Sequence, residues 1–400
     1  MKAVVIGSGR IGCGFAGQLL CASGFQVVFV SRNPNMVDYF NRVGAYRVCL
    51  VNGPEIKEII VDGVQAVPAV NISEVAKEIS QANLIITAAG ASKLPEVAPL
   101  IAAGLRQCST PVNLLAFENL SDAGPFLRNH VASHLPAGFP LAQHGFSGAL
   151  VERAVTQQVG DPARDELLTF IGDPPATFVV DGTSLRQPLP TLSGMVVVEN
   201  YMAWIHRKLY IFSAGHATCA YLGYLKGYKY IHTAIRDPEI RAAVSAAMAE
   251  GQRGLAARYG KETAGDESDL LKIIARFENA ALNDPITRVG RDPRRKLGAN
   301  DRLVGAARLA AEAGVNPEKL ALATAAAFCF NNPSDPSAAG LQREIAVTGL
   351  GKTLKHICGL DSTRGLGRFV AEGWARLSGG WPGGNQLLKL DQMMWAWRPL

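Results

Sequence analysis

The first thirty residues constrain the fold more than any other part of this chain. A short apolar run, Lys2–Ile6, precedes the glycine-rich turn Gly7-Ser-Gly9-Arg-Ile-Gly12, residues 15–20 with helical spacing, and a second apolar run, Phe25–Val30. This order predicts a strand, a turn, a helix and a second strand. Such a unit is typical of a doubly wound sheet that holds the pyrophosphate of a dinucleotide at the helix N-terminus.

Each glycine of the turn has a separate expected role. Gly7 permits the tight turn, Gly9 lets the backbone approach a pyrophosphate, and Gly12 lets the helix pack closely on the strand. A glycine pattern alone is weak evidence, and a purely structural turn is the alternative. Its position between two strands nevertheless favours dinucleotide binding. The cofactor-binding candidates in this turn are Gly7, Gly9, Arg10, Ile11 and Gly12.

The end of the second strand bears on the choice between NAD and NADP. An acidic residue at this position bonds the ribose hydroxyls and repels a 2′-phosphate, whereas this chain has Ser31, Arg32 and Asn33. A hydroxyl followed by a guanidinium suits a 2′-phosphate, because arginine offers a planar, charge-assisted contact to phosphate. These three residues therefore predict a cofactor site that favours NADP over NAD. The alternative is that Arg32 stacks on the adenine or points into water.

Two further strands are expected to end at the same edge of the sheet. Residues 83–90 form an apolar segment that ends in small residues, and small residues are needed where the cofactor crosses the sheet. Ala88 and Gly90 are therefore cofactor-binding candidates. Residues 111–117 form another apolar strand, and Asn119 follows it. Asn119 could donate a hydrogen bond to a substrate oxygen or could cap the next helix.

The composition of the chain changes near residue 190. Prolines and a glycine between residues 188 and 194 precede a helix-rich region. We therefore expect a Rossmann-type dinucleotide-binding domain over residues 1–190 and a substrate domain over residues 191–400. The predicted fold class is α/β, with an N-terminal doubly wound sheet followed by a mostly α-helical C-terminal domain. Helices are predicted at residues 196–212, 217–225, 239–259, 270–279, 302–313 and 317–330.

One helical stretch places a base, a hydroxyl and an imidazole close together in sequence, at Lys208, Ser213 and His216. On a continuous α-helix Ser213 and His216 share one face, and Lys208 lies about 12 Å from His216 along the axis. A lysine or a histidine on a helix is more often structural than catalytic. The residues alone leave both interpretations open.

A basic stretch follows at residues 288–302. Its six cations are opposed by two aspartates, Asp292 and Asp301. Guanidinium groups bind phosphate through charge-assisted hydrogen bonds, so the stretch suits an anionic substrate. The alternative is a solvated basic loop. A nucleic-acid surface is not expected, because the stretch is short and has no interleaved aromatic residues. The cations are Arg288, Arg291, Arg294, Arg295, Lys296 and Arg302.

Composition argues against several other classes of protein. The net charge of +6 suits anionic ligands but decides nothing alone. Seven cysteines without a C-x-x-C pair predict reduced core residues and neither a disulfide framework nor a metal site. The sequence shows no leader and no apolar run of about 20 residues, so a cytoplasmic protein without a membrane partner is expected. Trp395 and Trp397 are expected to pack as an apolar end.

Several ordered motifs resemble the polyol-specific long-chain dehydrogenase/reductase family. They occur in the same order and at similar spacing as in that family, and they extend over both predicted domains. The resemblance covers residues 1 to about 370. Several ordered motifs are more specific than any one of them. They are found at residues 9–15, 117–119, 207–223, 276–279 and 288–303.

The resemblance implies a role for each candidate site residue. Lys208 matches the family's general acid/base, His216 the histidine that orients substrate, and Asn119 one of two asparagines that stabilise the developing oxyanion. Ser213 stands at the position of the second asparagine. A hydroxyl is shorter than a carboxamide, so Ser213 is expected to reach a substrate oxygen only through water. Arg288 and Lys296 match substrate contacts, and Arg291, Arg294 and Arg295 would suit a phosphate.

The resemblance also implies an activity. The expected reaction is hydride transfer between NAD(P)(H) and a polyol phosphate, with mannitol 1-phosphate and fructose 6-phosphate as the expected pair. The family suggests a monomer whose partner is a small sugar or polyol phosphate. The same chemistry on another polyol, sugar phosphate or sugar acid is one alternative, which Ser213 keeps open. A non-catalytic NADP-binding sensor or interaction protein is the other, and the joint presence of Lys208, His216 and Asn119 argues against it.

Overall fold

The computed structural model of the protein describes residues 1–164 and 166–379. The chain forms two compact units, Met1–Met202 and a second unit that begins at Ala203. Trp395 and Trp397, which were expected to pack as an apolar end, lie outside the described residues.

The first unit contains all the strands found in the described part of the chain. They are β1 (Lys2–Ile6), β2 (Gln26–Ser31), β3 (Ala45–Asn52), β4 (Glu55–Asp62), β5 (Gln65–Pro68), β6 (Leu84–Thr87), β7 (Asn113–Ala116), β8 (Gly145–Val151), β9 (Val155–Val159), β10 (Thr169–Gly172), β11 (Phe178–Asp181) and β12 (Met195–Val198). Its helices are α1 (Gln18–Ala22), α2 (Pro34–Val43), α3 (Ile72–Ser80), α4 (Leu94–Leu105) and α5 (Ala123–Ala132), and a π-helical segment, Gly12–Gly17, leads into α1.

Eight strands form the main sheet, in the order β12-β11-β8-β7-β6-β1-β2-β5. The strands from β8 to β5 are all parallel, while β11 runs antiparallel to β8 and β12 parallel to β11. The strand order reverses beside β1, which makes the sheet doubly wound. Ligands bind such sheets at the carboxyl ends of the strands next to this reversal. The predicted fold class is confirmed for this unit.

Alternate residues of the central strands pack on opposite sides of the main sheet. Val5 and Phe29 belong to the core on one side, and Val4 and Val28 belong to the core on the other. Residues of α3, α4 and α5 complete the second core. Because both sides are covered, the strands are continuous apolar runs, as parallel strands commonly are.

A smaller sheet, in the order β4-β3-β10-β9, contributes to the first core. Its buried Tyr46 donates from Oη to the Cys13 carbonyl at 2.8 Å. Arg153, 4% exposed, donates to the Gly14 carbonyl at 3.0 Å and to Gln18 Oε1 at 2.9 Å. Side chains that enter a helix's carbonyl ladder distort it. The smaller sheet and Arg153 thereby account for the π-helical segment after the glycine-rich turn.

The stretch between the two units differs from the prediction. Residues 196–212 were predicted as one helix, but Met195–Val198 form strand β12, which pairs with β11 in parallel. Helix α6 (Tyr201–Arg207) begins only afterwards, and Lys208–Ser213 are π-helical. The helix prediction was therefore wrong for the first residues. Because β12 belongs to the main sheet, the first unit extends to Met202 rather than to residue 190.

The second unit consists of helices joined by loops in its described residues, apart from an isolated bridge between Tyr230 and Pro285. After α6 and the π-helical segment come α7 (Ala214–Leu225), α8 (Ile231–Ala234), α9 (Pro238–Tyr259), α10 (Lys261–Ala264), α11 (Glu267–Glu278), α12 (Ile286–Gly290), α13 (Pro293–Lys296), α14 (Val304–Glu312), α15 (Glu318–Phe328), α16 (Pro336–Thr348), α17 (Leu350–Cys358) and α18 (Gly365–Gly379). A single large core that includes the alanine-rich α15 holds them together. The predicted helical C-terminal domain is confirmed.

Two further features relate to the expectations from composition. None of the helices described is long and apolar enough to cross a bilayer. All seven cysteines are unpaired, and four of them are buried while Cys21, Cys108 and Cys329 are partly exposed.

Candidate active site

The glycine-rich turn directly follows β1. Gly7 has a φ of 116°, a conformation that glycine adopts readily, and its N–H donates to the Val30 carbonyl at 3.0 Å. A Cβ at Gly7 would overlap the Ala88 carbonyl oxygen, and a Cβ at Gly12 would overlap the Gly7 carbonyl oxygen. A Cβ at Gly9, by contrast, would meet no heavy atom within 4 Å. The turn is tight at its two ends and open at Gly9, where the backbone is accessible to a pyrophosphate.

The other two candidates in the turn differ in exposure. Arg10 is exposed, and its Nη1 donates to the Thr156 carbonyl in β9 at 2.8 Å. Ile11 is partly buried and packs against the core of the first unit. Arg10 is therefore attached to β9 through its guanidinium, while Ile11 anchors the turn to the core of the first unit.

The three residues after β2 have different environments. Ser31 is 3% exposed, and its Oγ accepts a hydrogen bond from Ser8 Oγ at 2.7 Å, which ties the strand to the glycine-rich turn. Arg32 is exposed and pairs with Glu96 at 3.1 Å. Asn33 caps α2. Ser31 therefore supports the turn from the interior, and Arg32 is an exposed cation that shares Glu96 with Lys93.

A buried carboxylate organises the ends of β6 and β7. Glu118 Oε1 accepts a hydrogen bond from the Ala89 N–H, and Oε2 accepts one from the Gly90 N–H, both at 2.9 Å. Burial raises the pKa of Glu118 to about 7, although the two backbone bonds act in the opposite direction. The neighbouring Asn119 is exposed. Glu118 thus fixes the loop that carries Ala88 and Gly90, next to the amide expected to act on substrate.

In the second unit, Lys208 opens the π-helical segment Lys208–Ser213. The Ala214 N–H donates to the Leu209 carbonyl, five residues earlier, which defines the wider turn. In an α-helix residues five apart lie about 140° apart around the axis, but in a π-helical turn they lie close to the same side. Lys208 and Ser213 are thereby brought nearer to one face than an unbroken α-helix would allow.

His216, in α7, is held by a carboxylate that is itself held by an arginine. Its Nε2 lies 3.3 Å from Asp284 Oδ2. Arg288 donates to both oxygens of Asp284, from Nε at 2.6 Å and from Nη2 at 2.7 Å. Burial alone would raise the pKa of Asp284, but the bonds from His216 and Arg288 lower it to about 2. Burial lowers the pKa of His216, with Asp284 acting in the opposite direction.

Two aromatic rings enclose the imidazole of His216. Phe277 stacks on it, with centroids 4.8 Å apart and planes 14° apart. Phe212 meets it edge-on at 5.6 Å and carries the Arg276 guanidinium on its own ring at 4.6 Å. The imidazole is consequently fixed in orientation by apolar contacts as well as by Asp284.

The basic stretch is more paired than its charge count suggests. Arg294 forms an ion pair with Glu344, and Arg295 pairs with Asp292 at 3.1 Å and approaches Asp301 at 3.8 Å. Arg294 and Arg295, which the sequence suggested as phosphate contacts, are therefore already paired with carboxylates.

Arg291 and Lys296 have different surroundings from those two arginines. Lys296 is 5% exposed and donates from Nζ to the Arg291 carbonyl. Burial, followed by the charges of Arg302 and Arg295, lowers the pKa of Lys296 to about 7. The Arg291 side chain is exposed, and no carboxylate partner is found for it among the described residues.

Two residues of these sites were not predicted from the sequence as functional. Glu118 precedes Asn119, and it fixes the loop after β6 by accepting hydrogen bonds from the Ala89 and Gly90 N–H groups, about thirty residues earlier in the chain. Asp284 lies four residues before Arg288, a spacing that permits a helical ion pair. That spacing was the one sequence signal for a pair between Asp284 and Arg288, but it gives no indication that Asp284 also contacts His216.

Comparison with known proteins identifies the family. The mannitol dehydrogenase Rossmann domain matches residues 1–208, and the mannitol dehydrogenase C-terminal domain matches residues 200–351. A mannitol-1-phosphate 5-dehydrogenase of Brevibacillus brevis is 38% identical over 384 residues, covering 94% of this chain and 98% of the relative. Its counterpart in Bacillus velezensis is 39% identical over 367 residues, covering 90% and 96%.

Solved structures agree in fold. The substrate-free crystal structure of a D-sorbitol dehydrogenase matches with a TM-score of 0.75 and 16% identity, covering 94% of this chain and 93% of that one. Pseudomonas fluorescens mannitol 2-dehydrogenase, in a ternary complex with NAD and D-mannitol, matches with a TM-score of 0.69 and 16% identity, covering 95% and 94%. The resemblance inferred from the ordered motifs is confirmed: the chain belongs to the mannitol dehydrogenase family.

Proposed function

We propose that the protein is an NAD(P)-dependent oxidoreductase that interconverts mannitol 1-phosphate and fructose 6-phosphate. The observation that carries the proposal is the 38% identity, over 94% of the chain, to a relative named mannitol-1-phosphate 5-dehydrogenase. The arrangement of the candidate residues supports it. The first unit has a turn open to a pyrophosphate at Gly9, and the second has an oriented imidazole in the same short stretch as Lys208.

The proposed chemistry assigns the proton to Lys208. A bound nicotinamide cofactor supplies hydride in the reducing direction and accepts it in the oxidising direction. In oxidation the neutral amine of Lys208 removes the hydroxyl proton, and in reduction its ammonium group returns a proton to the carbonyl oxygen. Asn119 donates a hydrogen bond to the oxygen on which negative charge develops. His216 orients the substrate through a hydroxyl group.

Ser213 is the member that limits the assignment of substrate. Its hydroxyl stands where the family's pattern has a second asparagine, and it reaches a substrate oxygen only through water. Loss of one donor to a developing oxyanion costs about 10²-fold in rate. The serine therefore favours a second candidate of the same class, in which another polyol, sugar phosphate or sugar acid is the better substrate.

The proposed cofactor preference is for NADP and depends on Arg32. Its pair with Glu96 is exposed, and exposed ion pairs contribute little to stability because solvent screens them. A dianionic 2′-phosphate would therefore compete well for the guanidinium. The buried Ser31 takes the place of an acidic residue, so β2 itself does not end in a carboxylate that would repel the phosphate, and the nearby Glu96 is paired with both Arg32 and Lys93.

We expect the wild-type protein to use NADPH with a lower KM than NADH. Arg32→Ala should raise the KM for NADPH about 10- to 100-fold, since a hydrogen bond to a charged group contributes about 1.5–3 kcal/mol. The KM for NADH should change by less than about twofold. Initial rates at varied cofactor concentration measure both. Arg164→Ala, which removes another exposed arginine paired with a carboxylate, is the matched control. Equal or better use of NADH by the wild type contradicts the preference.

The proposed phosphate contact is Arg291, assisted by Lys296 and the free side of Arg288. Arg294 and Arg295 remain candidates, but their carboxylate partners must be exchanged for phosphate oxygens before they can bind. Arg291 needs no such exchange, because its side chain is exposed without a carboxylate partner in the described part of the chain.

Unphosphorylated fructose should be a much poorer substrate than fructose 6-phosphate, with kcat/KM lower by about 10²-fold or more, because charge-assisted bonds to phosphate are lost. Arg291→Ala should lower kcat/KM for fructose 6-phosphate and leave that for fructose unchanged. Arg343→Ala, an exposed arginine on α16, serves as the control. Similar kcat/KM values for the two sugars in the wild type would assign the arginines of residues 291–295 to the protein surface.

A further inference from the structure

Asp284 connects His216 and Arg288, two side chains that the proposed function assigns to substrate binding. One of its oxygens faces His216 Nε2 at 3.3 Å, and both accept hydrogen bonds from Arg288. The side chain is 9% exposed. A carboxylate buried to this extent is retained only when its oxygens are satisfied, and Asp284 obtains its partners from the histidine and the arginine together.

The backbone around Asp284 is also fixed. The Asp284 carbonyl accepts a hydrogen bond from the Ile231 N–H at 3.0 Å, and the Ile286 N–H donates to the Lys229 carbonyl at 3.0 Å. These two bonds attach the segment before α12 to the beginning of α8. Asp284 therefore presents its carboxylate from a rigid position and does not simply follow the movements of Arg288.

The direction of the hydrogen bond follows from the chemistry of the two groups. An ionised carboxylate only accepts hydrogen bonds, and it already accepts two from Arg288. The hydrogen between Asp284 and His216 must then be carried by Nε2 of the imidazole. In a neutral imidazole one nitrogen donates and the other accepts, so Nδ1 carries the lone pair. Stacking on Phe277 holds the plane of the ring, and the contact with Asp284 determines which ring atom faces the carboxylate.

We propose that Asp284 is a positioning residue that fixes His216 as the Nε2–H tautomer, so that Nδ1 accepts a hydrogen bond from a hydroxyl group of the substrate. This deepens the proposed function and rests on it for the identity of the substrate. The histidine is then a selective acceptor. A substrate analogue without that hydroxyl leaves Nδ1 unpaired in a largely apolar surrounding and is discriminated against.

The same geometry gives Arg288 a defined role. Two of its donors are directed to Asp284, and the remaining N–H groups of the guanidinium stay available for a substrate oxygen. Since arginine is always charged, it also keeps Asp284 ionised and therefore keeps that carboxylate an acceptor. The single Asp284 carboxylate thereby orients both His216, which accepts a hydrogen bond from substrate, and Arg288, which donates one.

The tautomer of His216 can be measured in the free protein without any turnover. Protein labelled with ¹⁵N-histidine gives ring-nitrogen signals that distinguish Nδ1–H from Nε2–H, and the His216→Gln spectrum identifies the signal of His216 among the seven histidines. We expect the Nε2–H form in the wild type. In Asp284→Asn the carboxamide can donate or accept, so we expect the Nδ1–H form to appear. An Nδ1–H form in the wild type overturns the proposal.

A matched control separates this role from a general loss of stability. Asp237 has the same side-chain exposure of 9% and is also ion-paired, to Lys226, but it does not contact His216. Asp237→Asn should leave the His216 signals unchanged. If Asp284→Asn also leaves them unchanged, the proposal is wrong.

Kinetics give a second readout. Asp284→Asn should lower kcat/KM for the sugar phosphate about 10- to 100-fold, by analogy with the loss of a carboxylate that orients a metal-binding histidine, while the Kd for the cofactor stays the same. Asp237→Asn should retain wild-type kcat/KM. Loss of cofactor binding along with kcat/KM in Asp284→Asn would indicate a disrupted fold and contradict a positioning role. If wild-type protein reduces no sugar phosphate, the proposed function fails, whereas the tautomer measurement still decides the role of Asp284.

Discussion

Lys208→Ala should lower kcat for fructose 6-phosphate reduction by about 10²- to 10⁴-fold, the usual contribution of a positioned acid or base. The substitution removes the group proposed to exchange the proton with the substrate oxygen. Binding of NADP(H) should remain nearly unchanged, because the turn proposed to hold the pyrophosphate belongs to the other unit. Single-turnover kinetics measure the chemical step, and quenching of protein fluorescence by NADPH measures binding.

Lys229→Ala provides the control for the loss of a lysine from the second unit. Its side chain is exposed, and among the described residues its backbone carbonyl accepts a hydrogen bond from the Ile286 N–H. This variant should retain wild-type kcat. A Lys208→Ala protein that still turns over at the wild-type rate would eliminate the proposed acid/base, whatever the substrate.

Alanine at Gly12 and alanine at Gly9 should differ in their effect on stability. Gly12→Ala places a methyl group on the Gly7 carbonyl oxygen, so the helix must move away from the strand. Overpacking of this kind costs about 1–3 kcal/mol and occasionally more. We expect a lower melting temperature and no measurable cofactor binding. Gly9→Ala meets no atom within 4 Å and should leave the melting temperature within about 2 °C of the wild type.

Gly9→Ala should nevertheless raise the Kd for NADP(H) by about tenfold or more, because its methyl group occupies the space through which a pyrophosphate approaches the backbone. Thermal unfolding and cofactor titration of both variants separate the two effects. Unimpaired cofactor binding by Gly9→Ala would show that this turn is structural, which is the alternative that the sequence pattern left open.

The sheet could be predicted because its strands are short apolar runs bounded by glycines and polar residues. Such runs arise when parallel strands are covered on both sides. Strand β12 was not predicted, because Met195–Val198 is only four residues long and leads almost directly into α6. An apolar run of that length has no periodicity that would distinguish a strand from the first turn of a helix.

The positions of Lys208, His216 and Asn119 in the chain could be inferred from ordered motifs, but their surroundings could not. The π-helical turn after Arg207 depends on which carbonyls find partners in the folded chain. Glu118 and Asp284 are organised by groups distant in sequence, and no local pattern encodes those contacts.

The charge of the basic stretch also depends on contacts that are distant in sequence. Its charge can be counted from the sequence, but Arg294 pairs with Glu344, fifty residues further along the chain. That pairing reduces the number of cations free to meet a phosphate. The sequence therefore predicts the sign of the local charge correctly and overstates how much of it is available to a ligand.

Reduction of fructose 6-phosphate by purified protein, followed as NADPH oxidation at 340 nm with identification of the product, tests the central claim most directly. The proposed function predicts rapid oxidation of NADPH, formation of mannitol 1-phosphate, and the reverse reaction when mannitol 1-phosphate and NADP⁺ are supplied. Absence of turnover with both nicotinamide cofactors, in a protein that still binds them, would contradict the claim and favour a non-catalytic cofactor-binding protein or a different sugar substrate.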